Sequence, residues 1–286
     1  MIDSKVEEVS FKGKQIFIKR DDLLHSSFDG NKARKLHYLF SKDLSSYQAI
    51  VSFGSNQSNS MYSLSSLCKL KNIRFIYITH KLSSYLENNI QGNLKYALDN
   101  GMELIQSNDK EEITKYKNNV KYLVIDEGIA TKEASQGLKI LANEIEEFSI
   151  SSKLSNLNIF SPSGTGTTSL YLQKYSKFNV FTTPCVGNKE YLFKQMQLLE
   201  EDSSIYPTIL TLEKKYHFGK LYKEFYALWL ELKNDTKIKF DLLYDPLGWM
   251  VVLKHLYSDE KNLLYIHSGG IRGNISMIKR YENFLK

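Results

Sequence analysis

Cysteine and proline are scarce in this chain: 286 residues carry two of the first and four of the second. Cys68 and Cys185 stand far apart and neither lies in CxxC spacing, which excludes a paired-thiol redox motif and a cysteine zinc site. A disulfide framework is not expected, which favours a reducing compartment. The six histidines show no HxxxH or HxH spacing, so no metal site is expected. No linker rich in proline or glycine, no internal repeat and no low-complexity segment marks a domain boundary. No apolar run approaches the roughly 18 residues of a membrane span, and the charged start MIDSKVEEVS lacks the apolar stretch of a signal peptide. The expected address is the cytoplasm, with no membrane partner. Charge of one sign is not concentrated either. The 38 Lys+Arg face 32 Asp+Glu for a net charge of +6, and the acids are spread throughout. With no basic block and no stacking platform among the scattered tyrosines, nucleic acid is not an expected partner. Small anions are.

What the chain does have is alternation. Short β-branched or aromatic runs (QIFIKRDD at 15–22, AIVSFG at 49–54, RFIYIT at 74–79, MELIQ, KYLVIDEG) are separated by stretches with helical spacing. In NSMYSLSSLCKLK, for example, Met61, Leu64, Leu67 and Cys68 share one helical face. The second half keeps the rhythm through NLNIFSPSG, FNVFTTP, YPTILTL, FDLLYDP and LLYIHSGG, read as strands or extended segments, with LYKEFYALWLELK among the helices. This pattern predicts an α/β fold of mostly parallel sheets covered on both faces. In such folds ligands gather at the C-terminal ends of the strands.

Four strand ends carry residues worth weighing. SPSGTGTTS at 161–169 has Gly164 and Gly166 for tight turns and hydroxyls from Thr165, Thr167 and Thr168, in front of a helix. Backbone N–H groups there suit a phosphate. The loop lacks the Gly-Lys-Ser/Thr ending of a Walker A motif and the third glycine of the dinucleotide fingerprint. A plain strand–helix turn is the competing reading. GSNQSNS at 54–60 crowds Ser55, Asn56, Gln57 and Ser58 where a carboxylate could sit, or where a helix is capped by Ser58 or Asn56. HSGGIRGN at 267–274 puts Ser268 beside paired glycines. FDGNKARKL at 28–36 sets Lys32 at the start of a helix, where the dipole lowers an amine pKa and favours imine formation with an aldehyde. An aldehyde, a phosphate and an amino-acid carboxylate together describe pyridoxal phosphate and its substrate.

These segments resemble, in order and over nearly the whole chain, those of the 1-aminocyclopropane-1-carboxylate deaminase and D-cysteine desulfhydrase family of pyridoxal-phosphate enzymes. Arg20-Asp21-Asp22 followed by Gly30-Asn31-Lys32-Ala33-Arg34-Lys35-Leu36 is similar to the family's RDD…GGNKxRKL. Ser55-Asn56-Gln57 is similar to its SNH/SNQ segment, and Asp126-Glu127-Gly128 with Gly137 to its PEGG…G region. Ser163-Gly164-Thr165-Gly166-Thr167, Asp245-Pro246 and His267-Ser268-Gly269-Gly270 are similar to its phosphate loop, DP and HTGG segments. The resemblance implies a tryptophan-synthase-β-like (fold type II) architecture with the active site between two domains. The larger, cofactor-binding domain would be formed by 1–36 and 148–286, the smaller by 37–147. It implies pyridoxal 5′-phosphate as cofactor, a small amino acid as substrate, and a homodimer.

By the same resemblance, Lys32 would form the imine and later accept the Cα proton. Asn56 would meet the phenolic oxygen of the cofactor. Ser55, with Asn56 and Gln57, would hold the substrate carboxylate. The phosphate would lie on Ser163, Gly164, Thr165, Gly166 and Thr167. Lys35, one helical turn beyond Lys32, would share its face. The chain departs from the family in reading Asp29 for the first of two glycines. After Asp245-Pro246 it reads Gly248 and Trp249, where a ring-face tyrosine and a pyridine-facing acid are expected. Ser268 is then the expected partner of the pyridine nitrogen, and Tyr216 a further phenol for substrate binding. The expected chemistry is α,β-elimination giving an oxo acid and ammonia. Cyclopropane ring opening, or a non-catalytic cofactor-binding or amino-acid-sensing role, are the alternatives.

Overall fold

The computed structural model describes residues 3–109, 111–257 and 262–286. Among these residues ten strands form two sheets. The chain opens with an antiparallel hairpin, β1 (Val6–Phe11) and β2 (Lys14–Lys19), paired Phe11 to Lys14. Its two-residue loop, Lys12-Gly13, has φ of 45° and 81°, the left-handed pair of a type I′ turn that matches strand twist. Next come β3 (Ala49–Phe53), β4 (Arg74–Thr79), β5 (Met102–Gln106) and β6 (Tyr122–Ile125), which form a parallel sheet in the order β5-β4-β3-β6. The chain then returns through β7 (Leu157–Phe160), β8 (Asn179–Thr182), β9 (Thr208–Ile209) and β10 (Asn262–Ile266). With the hairpin these give a six-stranded sheet ordered β1-β2-β10-β7-β8-β9, parallel apart from the β1 edge.

Central strands are buried on both faces, as their unbroken apolar runs require. Ala49, Ile50 and Val51 of β3 and Leu264, Tyr265 and Ile266 of β10 have no exposed surface. The expected boundary at 147/148 falls inside the helix Ser135–Ser151. Its Leu138, Leu141 and Ile145 pack with Leu157 and Ile159, so the helix covers the six-stranded sheet. The expected boundary at 36/37 falls inside a packed unit too, because Ala33, Leu36 and Leu39 join the core of the four-stranded sheet.

FDLLYDP, read from sequence as a strand, is not one. Asp241 Oδ1 accepts the N–H of Leu243 (2.8 Å) and of Tyr244 (2.6 Å), and Asp245 Oδ2 accepts the N–H of Asp241 (2.8 Å). Side chains thus take the backbone donors that a sheet ladder would use, and Pro246 starts the helix Asp245–His255. Between β4 and β5 the chain forms two short helices, Ser84–Asn88 and Gly92–Asp99. Among the described residues no helix is long and apolar enough to cross a membrane. Among the described residues, no group of three or more His, Cys, Asp or Glu is placed to hold a metal ion.

Candidate active site

The loops after β2, β3, β7 and β10 converge at the C-terminal ends of their strands on one cavity of about 320 Å³. Its wall includes Lys32, Lys35, Ser55, Gln57, Ser163 through Thr168, and Ser268.

Lys32 is placed from three sides. Gly30 has φ 34°, and a side chain there would run into the Ser268 carbonyl, which accepts the N–H of Asn31 at 3.0 Å. Only glycine lets the start of the helix Asn31–Lys35 sit this close to the end of β10. Asn31 Nδ2 donates to Thr168 Oγ1 (3.1 Å), and its Oδ1 accepts from Lys32 Nζ (3.0 Å). Two residues on, Arg34 is fully buried. It forks onto Asp21 and Glu144 at 2.7–2.8 Å, which gives the Arg20-Asp21-Asp22 segment its structural task. Gly137, in the helix above, passes so close that a side chain there would strike the Arg34 carbonyl.

The amine of Lys32 is pushed down to about 8, chiefly by burial, while Asp29 and Asp241 act in the opposite direction. The sequence reading credited a helix dipole. The helix is only five residues long, and desolvation is the dominant cause. The surface Lys32 retains is cavity wall. Lys35 is 3% exposed and lines the same cavity. Its Nζ donates to the Gly128 carbonyl at 3.1 Å, and its pKa is pushed well down by burial and by Lys32.

The turn after β3 is pinned from below. Tyr77 Oη donates to the Ser55 carbonyl (3.0 Å) and Thr79 Oγ1 to that of Gly54 (2.8 Å). Ser58 caps the helix Asn59–Lys71, accepting the N–H of Ser60 and of Met61. Ser55 and Gln57 line the cavity, and Ser55 is exposed. Asn56, expected at the cofactor's phenolic oxygen, is half-buried between them and does not form part of the wall; Asn59 does.

In the loop after β7, the Ser163 hydroxyl is already engaged with Ser169 (2.9 Å) and Thr182 (2.7 Å). Thr165 and Thr167 share a hydroxyl contact of 3.0 Å at the start of the helix Thr167–Tyr175, and Gly166 is left-handed at φ 76°. Gly128, also left-handed, lies against Thr165. Ser268 Oγ is buried in the wall with no hydrogen-bond partner among the described residues.

Tyr216 stands elsewhere. Its ring packs on Tyr222 (4.8 Å) and Phe225 (4.7 Å), its hydroxyl lies 3.3 Å from Glu224, and it does not line this cavity. An aromatic cluster claims it, so its expected substrate role is not supported. Trp249 is fully buried, stacked on Tyr265 at 4.6 Å, so the segment after Asp245-Pro246 offers no acid. The residues that sequence reasoning missed precede that pair. Tyr244 is half-buried in the wall with its hydroxyl directed at Gly164, and Asp241 is in the wall as well. Reading FDLLYDP as a strand hid both. The unusual density of acid and phenol before Asp245-Pro246 was the available signal.

The site therefore has three chemical parts: a desolvated amine, a hydroxyl- and glycine-rich helix start near a second buried lysine, and a polar turn at a second helix start. No protein-family model matches the chain. It is 23% identical over 266 residues to the ribosomal operon-associated A protein of Euglena longa, in an alignment that takes in 90% of this chain. The chain spans about 40% of the length of that curated relative. Among solved structures it is similar to an ACC deaminase homologue (TM-score 0.80, 20% identity, 98% of this chain and 93% of the other). It is also similar to a hydrogen sulfide-producing enzyme from Fusobacterium nucleatum (0.68, 14%, 94% of each) and to a serine racemase from Dictyostelium discoideum (0.66, 14%, 93% and 92%). The fold is thus tryptophan-synthase-β-like, fold type II, with the cavity where its two sheets meet.

Proposed function

We propose that the chain is a pyridoxal-phosphate-dependent enzyme that removes ammonia from a small amino acid carrying a β-leaving group, giving an oxo acid. The observation that carries this reading is Lys32: a desolvated amine at about 8, opening onto a single cavity that also holds an anion-binding helix start.

The residues present fit the cofactor. Thr165 and Thr167 with the backbone of Gly164 to Thr168 would hold the phosphate at the start of the helix Thr167–Tyr175. Lys35, a buried cation with only a carbonyl partner, would balance its charge. Ser268, whose hydroxyl lacks a partner, would meet the ring nitrogen. When bound, the cofactor would supply electron withdrawal from the substrate Cα. Lys32 would carry the aldehyde covalently and, once displaced by the incoming amine, take the Cα proton on Nζ. Ser55 and Gln57, at the start of the helix Asn59–Lys71, would hold the substrate carboxylate and fix which Cα–H bond faces Lys32.

Elimination in the manner of a D-cysteine desulfhydrase is the reading preferred. One observation favours a second, ring-opening deamination of 1-aminocyclopropane-1-carboxylate: Tyr244 restores to the cavity a phenol that the sequence lacks after Asp245-Pro246. The test is direct. The purified protein is loaded with pyridoxal phosphate and reduced with borohydride, and the labelled peptide is mapped. The loaded protein is then given D- and L-amino acids and 1-aminocyclopropane-1-carboxylate while oxo acid is measured. A label away from Lys32, or a correctly labelled protein that releases oxo acid from none of them, would end the enzymatic reading.

A further inference from the structure

One carboxylate in the cavity wall has a structural use for only one of its two oxygens. Asp241 is 1% exposed. Its Oδ1 is fixed by the N–H groups of Leu243 and Tyr244, so the side chain has one orientation. Its Oδ2 is buried and has no hydrogen-bond partner among the described residues. Asp29, 4% exposed, has a second such oxygen and acts on Asp241 through space. Burial raises both carboxyl pKa values; Arg272 and then Lys32 oppose the rise at Asp29, and the N–H groups of Tyr244 and Leu243 and then Lys32 oppose it at Asp241.

The direction of Asp241 is visible at Gly270. A Cβ built there would lie 2.7 Å from Asp241 Oδ2 and 2.9 Å from Asn59 Nδ2. The free oxygen thus faces across Gly270 toward the first turn of the helix Asn59–Lys71, the helix whose start carries the polar turn at Ser55–Ser58. Asn59 Oδ1 is already taken by Asn93 Nδ2 at 2.7 Å, which leaves its amide donors turned outward. Tyr244, three residues on, has its hydroxyl toward Gly164 of the anion loop. The segment 241–244 therefore spans the cavity, with the phenol at the anion end and the carboxylate at the amino-acid end.

A buried, oriented carboxylate oxygen with no donor is costly unless something bound supplies one. Lys32 is the nearby lysine, and its amine is engaged once it is tied to a carbonyl compound. Asp241 then keeps Asp29 as a like-charged neighbour. We infer that Asp241 is the subsite for a second amine on the substrate, so that the preferred amino acid carries a side-chain ammonium, as 2,3- and 2,4-diamino acids do. This rests on the reading of Lys32 as the cofactor lysine and of the turn at Ser55–Ser58 as the carboxylate site. It goes beyond that reading in naming the substrate class.

The experiment uses the cofactor-loaded protein. Both enantiomers of 2,3-diaminopropionate and 2,4-diaminobutyrate are titrated against serine and 2-aminobutyrate, and the absorption change of the bound cofactor gives each Kd. The expected result is a preference of tenfold or more for the diamino acid over its neutral counterpart in one enantiomeric series. Asp241→Asn should bring that ratio to within about twofold of unity. A wild-type protein with no preference overturns the inference without any variant being needed. So does an Asp241→Asn protein that keeps the ratio, since Asp241 would then meet the α-amine or nothing. A change in the cofactor's own absorption in that variant before any amino acid is added also overturns it, placing Asp241 at the ring. A protein that takes no cofactor overturns both readings together, whereas a coloured protein without the preference overturns this one alone.

Discussion

Replacing Lys35 with methionine should make the ligand-free protein more stable while removing its response to phosphate. The amine of Lys35 is buried beside Lys32; among the described residues it has one hydrogen-bond partner, the Gly128 carbonyl at 3.1 Å, and no carboxylate pairs with it. An uncompensated buried charge costs roughly 3–5 kcal/mol. The hydrogen bond from a charged donor returns roughly 1.5–3 kcal/mol of that. Methionine keeps an unbranched stem of similar length and forfeits only the hydrogen bond, so the net gain expected at pH 7 is about 1–3 kcal/mol. In a chain of this size that raises Tm by roughly 2–8 °C. The pH dependence follows from linkage. Burial holds the folded-state pKa of Lys35 below its unfolded value, so the unfolded chain binds the extra proton and wild-type stability climbs as pH rises toward about 10.4. The advantage of Lys35→Met should therefore be largest at neutral pH and below, and vanish near pH 10. The ligand response runs the other way. Phosphate at 100 times its Kd would stabilise the wild type by about 2.7 kcal/mol, and most of this should be lost in the variant. Thermal unfolding of both proteins, with and without phosphate and from pH 6 to 10, measures all three effects. A variant that is less stable at pH 7 without anion, or that responds fully to phosphate, would refute the assignment of Lys35 as an unpaired cation awaiting an anion.

The rate at which pyridoxal phosphate attaches to the ligand-free protein should rise with pH around a midpoint near 8, because the unprotonated Lys32 amine is the reactive form and burial holds its pKa down; stopped-flow absorbance reads it, and a midpoint above 10 would mean a solvated amine. Gly30→Ala should cost more than about 4 kcal/mol or prevent folding, since the new methyl would enter the Ser268 carbonyl at a positive φ, as denaturant titration can check. Ser268→Ala should keep the borohydride-fixed adduct on Lys32 and lower turnover by roughly 1–3 kcal/mol of lost hydrogen-bond support, with unchanged turnover arguing that the hydroxyl meets nothing. Thr167→Asp should weaken cofactor retention on dialysis, whereas Ser55→Ala should weaken amino-acid binding and leave the cofactor in place; the reverse pattern would exchange the two anion sites.

Periodicity alone determined the alternation of strands and helices, because a buried parallel strand has to be apolar on both faces and a covering helix on one. It placed β3, β4 and β7, and the loops behind them, within a residue or two. Motif order pointed to Lys32, Ser55, Gln57 and the loop at Ser163–Thr167, which line one cavity, because each sits in a local turn that its own residue types define. What is not local was not legible. Asp241 and Tyr244 enter the cavity because side-chain hydrogen bonds from Asp241 and Asp245 bend a segment whose composition reads as a strand. Tyr216 leaves it because a ring cluster packs it elsewhere. Asn56 yields its place on the wall to Asn59, three residues later on the same helix start. The amine pKa of Lys32 follows from how much protein surrounds it rather than from its position in a helix. Sequence fixes which groups exist and which elements carry them; burial and through-space charge belong to the assembled fold, because both depend on neighbours that the chain brings together only when it closes.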